Sequence, residues 1–361
     1  MEHTIADVVA AMRRMAPEEW AEEWDNVGWL VRRDAPMDAP LKAILSLDPV
    51  DPDWAAANGY RLNVCHHPNP FRGLTRVDDN TYAARAWAAG LNVYAAHTNL
   101  DAAPGGVNDA LASALGLSDT RPMLPCDGAT LVKFVTYVPE PHLSAVRTVC
   151  AEAGAGHIGN YDECSFAWPG TGTFRPLPGA DPYTRTEIGR LEETDEWRLE
   201  MIVPSHLIEG VIAAANAAHP YEEIAYDVIP LANPDPRVGI GRIGTLPEPM
   251  ELAEFCKHVS LSLRTDRVSA GGSVDSVRTV AVLGGAGGKY LSAAGGADVF
   301  VTGEVGHHDA LEAQAMGMAI IDAGHFATER VVLEPLKRYL EAQLRGLNLT
   351  IADETDPLRR A

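Results

Sequence analysis

Residues 62–101 read LNVCHHPNPFRGLTRVDDNTYAARAWAAGLNVYAAHTNLD, and they decide the fold class. Two short apolar runs, LNVC and LNVYAA, enclose an alanine-rich segment near Asp79 to Ala89 with helical spacing. Runs of this length without polar alternation predict strands buried on both faces, and the strand, helix, strand order predicts an α/β sandwich. Each run ends in chemistry. The first stops at His66 and His67; the second runs into His97, with Asp101 four residues on. Strand ends are where α/β proteins gather ligands.

The same grammar extends in both directions. Upstream, Ile5, Val8, Val9, Met12 and Met15 predict an opening helix between Thr4 and Glu23, WDNVGWLV a turn into a strand, and LKAILSLD a further strand. Downstream, a helix is predicted near Val107 to Leu115. From Val277 the pattern returns: VRTVAVLGG, a helix, ADVFVTG, a helix near Asp309 to Met316, then MAIIDAGH. A last amphipathic helix carries Leu333, Leu336, Leu340 and Leu344 on one stripe. Here a strand is expected to end near His307 and His308, and the next to run into IDAGHFATE, with His325 and Glu329 four residues apart. A His pair followed by a His-x3-acid pair in both halves reads as an ancient duplication whose halves face one another.

Between the halves the texture changes. LVKFVTYVPEPHLSAVRTVCAEAG, from Leu131, and WRLEMIVPSHLIEGVIAAANAAHP, from Trp197, align as one repeated unit of strand, Val-Pro break and helix. With the closing strand EEIAYDVIPL they predict a ferredoxin-like βαβ-βαβ layout. The intervening GHIGNYDECSFAWPGTGTFRPLPGADPY is too aromatic for a flexible linker and reads as an ordered excursion. The expected fold is thus a duplicated α/β core in two halves, 1–128 and 237–361, interrupted by an α+β domain over 129–236.

At about 150 residues per domain, 361 residues allow two or three domains. With 46% hydrophobic and 22% charged residues the chain falls in the ordinary globular class. Its 29 Lys and Arg against 50 Asp and Glu give a net charge of -21, which disfavours stable nucleic-acid coating and anionic membrane surfaces. The five cysteines are widely spaced and form no CxxC pair, so neither a disulfide framework nor a zinc ribbon is indicated, and a reducing cytosol is expected. Acids and arginines occupy the N-terminus where a secretory signal needs an apolar run, and no stretch reaches about 18 uninterrupted apolar residues.

Imidazoles and carboxylates without thiolates suit divalent Zn, Mn or Fe, and several carboxylates among the donors permit two ions bridged by one of them. A single histidine at a strand end more often pairs with backbone or caps a helix. Repetition favours a metal site for His66, His67, Asp101, His325 and Glu329 taken together. Other motifs have plainer readings. GGAGG at 284–288 could cradle a phosphate, but it lacks Walker spacing and reads as a tight turn. Trp24, Asp25 and Asn26 either shape a cleft or form a structural turn. HPYEE at 219–223 contains a routine helix stop, Pro220.

The blocks EEWDNVGWLV, HHPNPF, VYAAHTNLDAAPGGVNDALASALGL, GAGHIGNYDECSF, GTGTFRP, HPYEEIAYDVIPL, VAVLGGAGG, DVFVTGEVGHHDAL and IDAGHFATE span nearly the whole chain. In these blocks the sequence resembles the Nif-three-like dinuclear metal-centre proteins, the GTP cyclohydrolase I type 2 homologues, in their long bacterial form. The resemblance implies a PII-like inserted domain and two divalent ions held by His66, His67, Asp101, His325 and Glu329, with Glu329 bridging. It makes His97 a catalytic acid-base or substrate-facing residue, a role balanced by a hydrogen bond that merely fixes the strand end. His307 and His308 fall outside the implied ligand set, and His308 is expected on a cleft wall. Trp29 and Asn69 depart from the family pattern without touching an implied ligand. The implied activity is metal-dependent hydrolysis of a nucleotide or phosphoester, in a cytoplasmic homo-oligomer, a hexamer. A metal-binding regulatory or scaffold protein with a ligand-sensing insert is the alternative.

Overall fold

The computed structural model describes residues 3–33, 40–184 and 186–358. These divide into two compact units, one formed by residues 1–128 and 236–361 and the other by residues 129–235.

The first unit opens with helix α1 (Ile5–Met15), where Thr4 and Asp7 form a reciprocal capping box and Val8, Val9 and Met12 face inward. The helix is shorter than its periodicity suggests. Pro17 separates it from a single 3-10 turn, Glu18–Trp20. Strand β1 (Gly28–Val31), β2 (Lys42–Ser46), helix α2 (Pro52–Ala57), β3 (Leu62–Cys65), α3 (Tyr82–Ala89) and β4 (Asn92–Ala95) follow. Thr81 caps α3, and Gly90 ends it in the left-handed conformation at φ 73°. Helices α4 (Thr98–Ala102) and α5 (Val107–Ala114) lead to β5 (Ser118–Pro125).

The second unit runs β6 (Thr130–Val138), α6 (Leu143–Glu152), β7 (Ser165–Phe174), β8 (Glu192–Pro204), α7 (Ile208–Ala218) and β9 (Tyr226–Pro234). Its strands form one antiparallel sheet in the order β7-β8-β6-β9. Pro139 and Pro204 each end a strand and start a 3-10 turn that feeds the following helix. Phe134, Val146, Leu199, Met201 and Val211 pack between the sheet and the two helices.

The chain then re-enters the first unit with β10 (Gly239–Met250), α8 (Leu252–Leu263), β11 (Ser269–Gly271), β12 (Val277–Val282), β13 (Val299–Thr302), α9 (His307–Ala315), β14 (Ala319–Asp322), α10 (His325–Glu329), α11 (Leu333–Gln343) and β15 (Asn348–Ile351). Leu333, Leu336, Leu340 and Leu344 are all buried. Burial of each such side chain contributes roughly 1.5–3 kcal/mol, which holds α11 in place.

Two sheets organise this unit. One has the order β1-β4-β3-β2-β15, the other β11-β14-β13-β12-β10-β5. Each half therefore completes its sheet with a strand from the other half, β15 beside β2 and β5 beside β10. The parallel neighbours β3 and β4 in one sheet, and β13 and β14 in the other, are the strands whose carboxyl ends carry the histidine-rich segments. Their residues are buried throughout, apart from a half-buried Asp322 at the end of β14, as the unalternating apolar runs require.

Two expectations are corrected. β13 ends at Thr302, not near His307, and His307 instead begins α9. Beyond β13 the Gly303 N–H donates to Gly285 O, and a Cβ at Gly303 would lie 2.6 Å from the His325 Cα. The segment after VRTVAVLGG is a 3-10 helix, Gly288–Ala294, rather than an α-helix.

Candidate metal centre

His66 and His67 extend directly from the end of β3, where their backbone N–H groups both donate to Leu47 O, at 3.1 and 2.8 Å. His97 is the N-cap of α4 with Asp101 one turn on, and His325 and Glu329 are the first and last residues of α10. The four-residue spacing puts each acid one turn from its histidine. In space the two sets converge.

Each histidine is anchored through Nδ1. His66 Nδ1 donates to Ala96 O at 2.9 Å, His67 Nδ1 to Asp48 Oδ1 at 2.9 Å, His325 Nδ1 to Glu304 Oε1 at 2.7 Å, and His97 Nδ1 to Asp25 Oδ1 at 2.9 Å. A hydrogen bond on one ring nitrogen fixes the tautomer and orients the other nitrogen, the arrangement found behind metal-ligating imidazoles. The Nε2 atoms of three of them face carboxylates. His67 Nε2 and His325 Nε2 lie 2.9 and 3.1 Å from Glu329 Oε2, and 3.3 Å from each other. His66 Nε2 lies 3.6 Å from Asp101 Oδ1 and 3.7 Å from Glu329 Oε1.

Those last distances exceed a hydrogen bond. His66 Nε2 and Asp101 Oδ1 are buried polar atoms with no hydrogen-bond partner. Leaving a buried polar atom unpaired costs about 1–3 kcal/mol, more when it is charged, and a cation held between the two would supply what neighbouring side chains do not. His67, His325 and Glu329 form one group able to hold a metal ion, with donor atoms within 4.8 Å of one another, and His66, His67 and His97 form another. Imidazole and carboxylate donors without thiolate fit divalent Zn, Mn or Fe.

The electrostatics agree with this reading. Burial by itself disfavours the charged form of His67 and His325, but the carboxylates of Glu329, Asp48 and Glu304 outweigh it and raise the two pKa values to about 10 and about 9. His66 is likewise raised against its burial by Glu329 and Asp101. Burial would raise Glu329, yet the three imidazoles hold it well below the usual carboxylate range. Asp101 is raised, chiefly by burial. Without metal, protons supply the positive charge that the cluster demands.

Several partners here escape sequence reasoning. Asp48 follows β2 and Glu304 follows β13, and neither stands in a recognisable spacing from the histidine it holds. Asp25 belongs to the Trp24-Asp25-Asn26 segment. Its carboxylate accepts from His97 Nδ1, the Thr98 hydroxyl and the Thr98 N–H. Trp24 lies edge-on to His97 at 6.0 Å between centroids.

The GGAGG segment is a structural turn at the centre's edge. The amides of Gly284, Gly285 and Gly287 donate to Asn108 Oδ1, Thr328 Oγ1 and Thr302 Oγ1, which leaves them committed rather than free for phosphate. A Cβ at Gly285 would lie 2.2 Å from Glu329 Oε1. His307 and His308 are exposed, face each other at 5.7 Å, and belong to neither metal-holding group found among the described residues. Asn69 is exposed. In the second unit, His219 Nε2 donates to Tyr137 O at 3.0 Å and its Nδ1 accepts from Tyr221 N, so it holds a backbone turn.

Among the described residues, no helix is long and apolar enough to cross a membrane, and all five cysteines are free. A family model described as Duf34/NIF3 (NGG1p interacting factor 3) matches residues 3–357. A relative from Bacillus subtilis (strain 168), named GTP cyclohydrolase 1 type 2 homolog, is 38% identical over 97% of this chain and 96% of its own length. Another of that name, from Mycobacterium leprae (strain TN), is 40% identical over 91% of this chain and 88% of its own. The solved structure of a Bacillus cereus protein related to NIF3 matches with a TM-score of 0.84 at 38% identity, over 99% of this chain and 98% of that one. By sequence and by fold, the chain belongs to the Duf34/NIF3 family.

Proposed function

We propose that the protein is a metal-dependent hydrolase acting on a nucleotide or phosphoester, with two divalent ions of Zn, Fe or Mn held by His66, His67, Asp101, His325 and Glu329. The observation that carries the reading is the division of labour at Glu329. Its Oε2 is shared by His67 and His325, while its Oε1 faces the unpaired His66 Nε2 beside Asp101 Oδ1. One carboxylate thus serves two donor sets, His67, His325 and Glu329 on one side and His66, Asp101 and Glu329 on the other.

Ions bound there would lower the pKa of a coordinated water toward 7 and polarise the bond to be broken. The chain's own residues do the rest. Asp48, Glu304 and the Ala96 carbonyl fix the imidazoles with their Nε2 atoms inward. His97, whose Nδ1 is tied to Asp25, is left with Nε2 to accept or give a proton near the reacting bond. Trp24 and Phe71, both half exposed, flank His97 edge-on at 6.0 and 5.9 Å between ring centroids.

Residues 129–236 are, on this reading, a ferredoxin-like, PII-like module set between core halves 1–128 and 237–361. The β6-α6-β7-β8-α7-β9 order and antiparallel sheet of the second unit support it. The family resemblance supports a hexameric, cytoplasmic protein. The test is metal analysis joined to hydrolysis assays on GTP and generic phosphoesters, with Asp101→Ala and Glu329→Ala alongside. Turnover by the loaded protein that both variants lose supports the hydrolase. Turnover no greater than that of the variants on every substrate leaves a metal-binding regulatory or scaffold protein.

A further inference from the structure

The second unit contains a cavity of about 420 Å³ that the metal centre does not use. Its size is that of a small-molecule site. Two of the sequence blocks singled out above meet in it, GTGTFRP through Gly172, Thr173, Phe174 and Pro176, and HPYEE through Tyr221, Glu222 and Glu223. Aromatic faces from Tyr137, Phe174, Tyr183 and Tyr221 line it, with the Tyr183 and Tyr221 rings 5.8 Å apart and inclined at 45°.

Its charge is one-sided. Glu196, Glu222 and Glu223 line the cavity, and among the described residues no Lys or Arg does. The ion pairs of this unit among the described residues, Lys133–Glu200, Arg190–Glu192 and Arg198–Glu200, leave all three carboxylates without a cationic partner. His219, edge-on to Tyr221 at 4.8 Å between centroids, is no counter-ion, because its Nδ1 accepts a backbone N–H and only Nε2 carries a proton. Glu196 is held in place. Tyr221 O–H donates to its Oε1 at 2.8 Å, and its Oε2 occupies the space that a Cβ on Gly172 would take, 2.4 Å away.

A phosphate or carboxylate ligand would meet three negative charges here. A cation flanked by ring faces gains from the aromatic quadrupoles and from the carboxylates together. We propose that this cavity binds an organic ammonium ion, a polyamine or a quaternary amine, packed against the Tyr183 and Tyr221 pair with its charge toward Glu196. This reading is independent of catalysis at the metal centre.

The test is calorimetric titration of the full-length, metal-loaded protein with choline and with spermidine, beside 3,3-dimethylbutan-1-ol, the uncharged isostere of choline, and ATP. Choline or spermidine should bind, the isostere should not, and Glu196→Gln and Tyr183→Ala should each weaken binding by about tenfold or more. Tyr183 is half exposed, so its truncation leaves the fold intact and separates loss of binding from loss of structure. Preference for choline over spermidine would assign a quaternary amine, and the reverse a polyamine. Equal binding of the isostere, binding of ATP that Tyr183→Ala abolishes, cation binding indifferent to both variants, or no heat with either cation at millimolar concentration would each overturn the proposal.

Discussion

His67 Nε2 and Glu329 Oε2 stand 2.9 Å apart although 262 positions of chain separate them. That contact joins the end of β3 in one sheet to the helix that follows β14 in the other. The two sheets are themselves interlocked by β5 and β15, so the donor atoms are positioned by a scaffold that neither half forms alone. On the dinuclear reading Glu329 serves both donor sets and Asp101 one. Glu329→Ala should therefore lose both ions, while Asp101→Ala should retain close to one per chain. Elemental analysis after gel filtration in chelator-treated buffer measures this directly, and equal metal content in the two variants contradicts it.

The carboxylates behind the histidines should act through orientation. Asp48→Asn and Glu304→Gln keep the shape but remove the charge that fixes His67 and His325. Metal affinity should fall by roughly 10–100-fold in each, the usual cost of losing such a support. Competition with a chromophoric chelator reads the change. Both supports stand behind ligands of the donor set His67, His325 and Glu329, so the double variant should lose more than either single one, and a loss no greater would contradict their serving one ion.

Protons and metal compete for the same nitrogens, which sets a pH dependence. In the metal-free protein His67 and His325 are raised from 6.5 to about 10 and about 9. Folding therefore favours their protonated forms. The stabilisation is complete below the unfolded value of about 6.5 and is lost as pH rises through 9 and 10. The melting-temperature gap between the metal-free wild type and metal-free Glu329→Gln should accordingly narrow from pH 6.5 upward. Metal loading should show the opposite slope, gaining affinity with pH and releasing protons. Titration in buffers of different ionisation enthalpy counts those protons.

Much of this was legible in residues 62–101 and their later echo. The buried strands could be read because LNVC and LNVYAA lack polar alternation, and the His-x3-acid spacing identified the four residues at the ends of α4 and α10. The end of β13 could not. Val305 prolongs the apolar pattern past Thr302, and the sequence does not show that the Gly303 N–H pairs with Gly285 O in the turn after β12. His307 and His308 therefore mimic His66 and His67 in the sequence, whereas the residue beyond β13 that reaches the centre is Glu304. The roles of Asp48, Asp25 and Glu304 depend on contacts between distant strand ends, and no local periodicity encodes them. The exchange of β5 and β15 between sheets is equally invisible, because a strand's sequence records burial but not its neighbour.

Gly285 shows how backbone geometry guards the centre. Its φ of 65° is costly for any residue with a side chain, by about 1–2 kcal/mol, and an added Cβ would lie 2.2 Å from Glu329 Oε1. The carboxylate would have to move. Gly285→Ala should thus lower both stability and metal content, whereas Gly296→Ala, also at positive φ but with open space around it, should lower stability alone. Equal metal content in the two variants would show that Glu329 tolerates displacement.

The Asp25–His97 pair separates orientation from ligation. Burial would raise the Asp25 pKa, but hydrogen bonds from His97 and Thr98 outweigh it and hold it at about 2. Its contribution to stability is present above the ordinary value of 3.8 and is lost only as pH falls toward 2, so Asp25 is ionised at neutral pH. Asp25→Asn removes the charge that orients His97 while leaving every donor in the two proposed ligand sets untouched. If His97 moves a proton in the reaction, kcat should drop about 10²–10⁴-fold at unchanged metal content and KM. If His97 instead ligates metal, the same substitution lowers metal content, and kcat recovers when metal is added in excess.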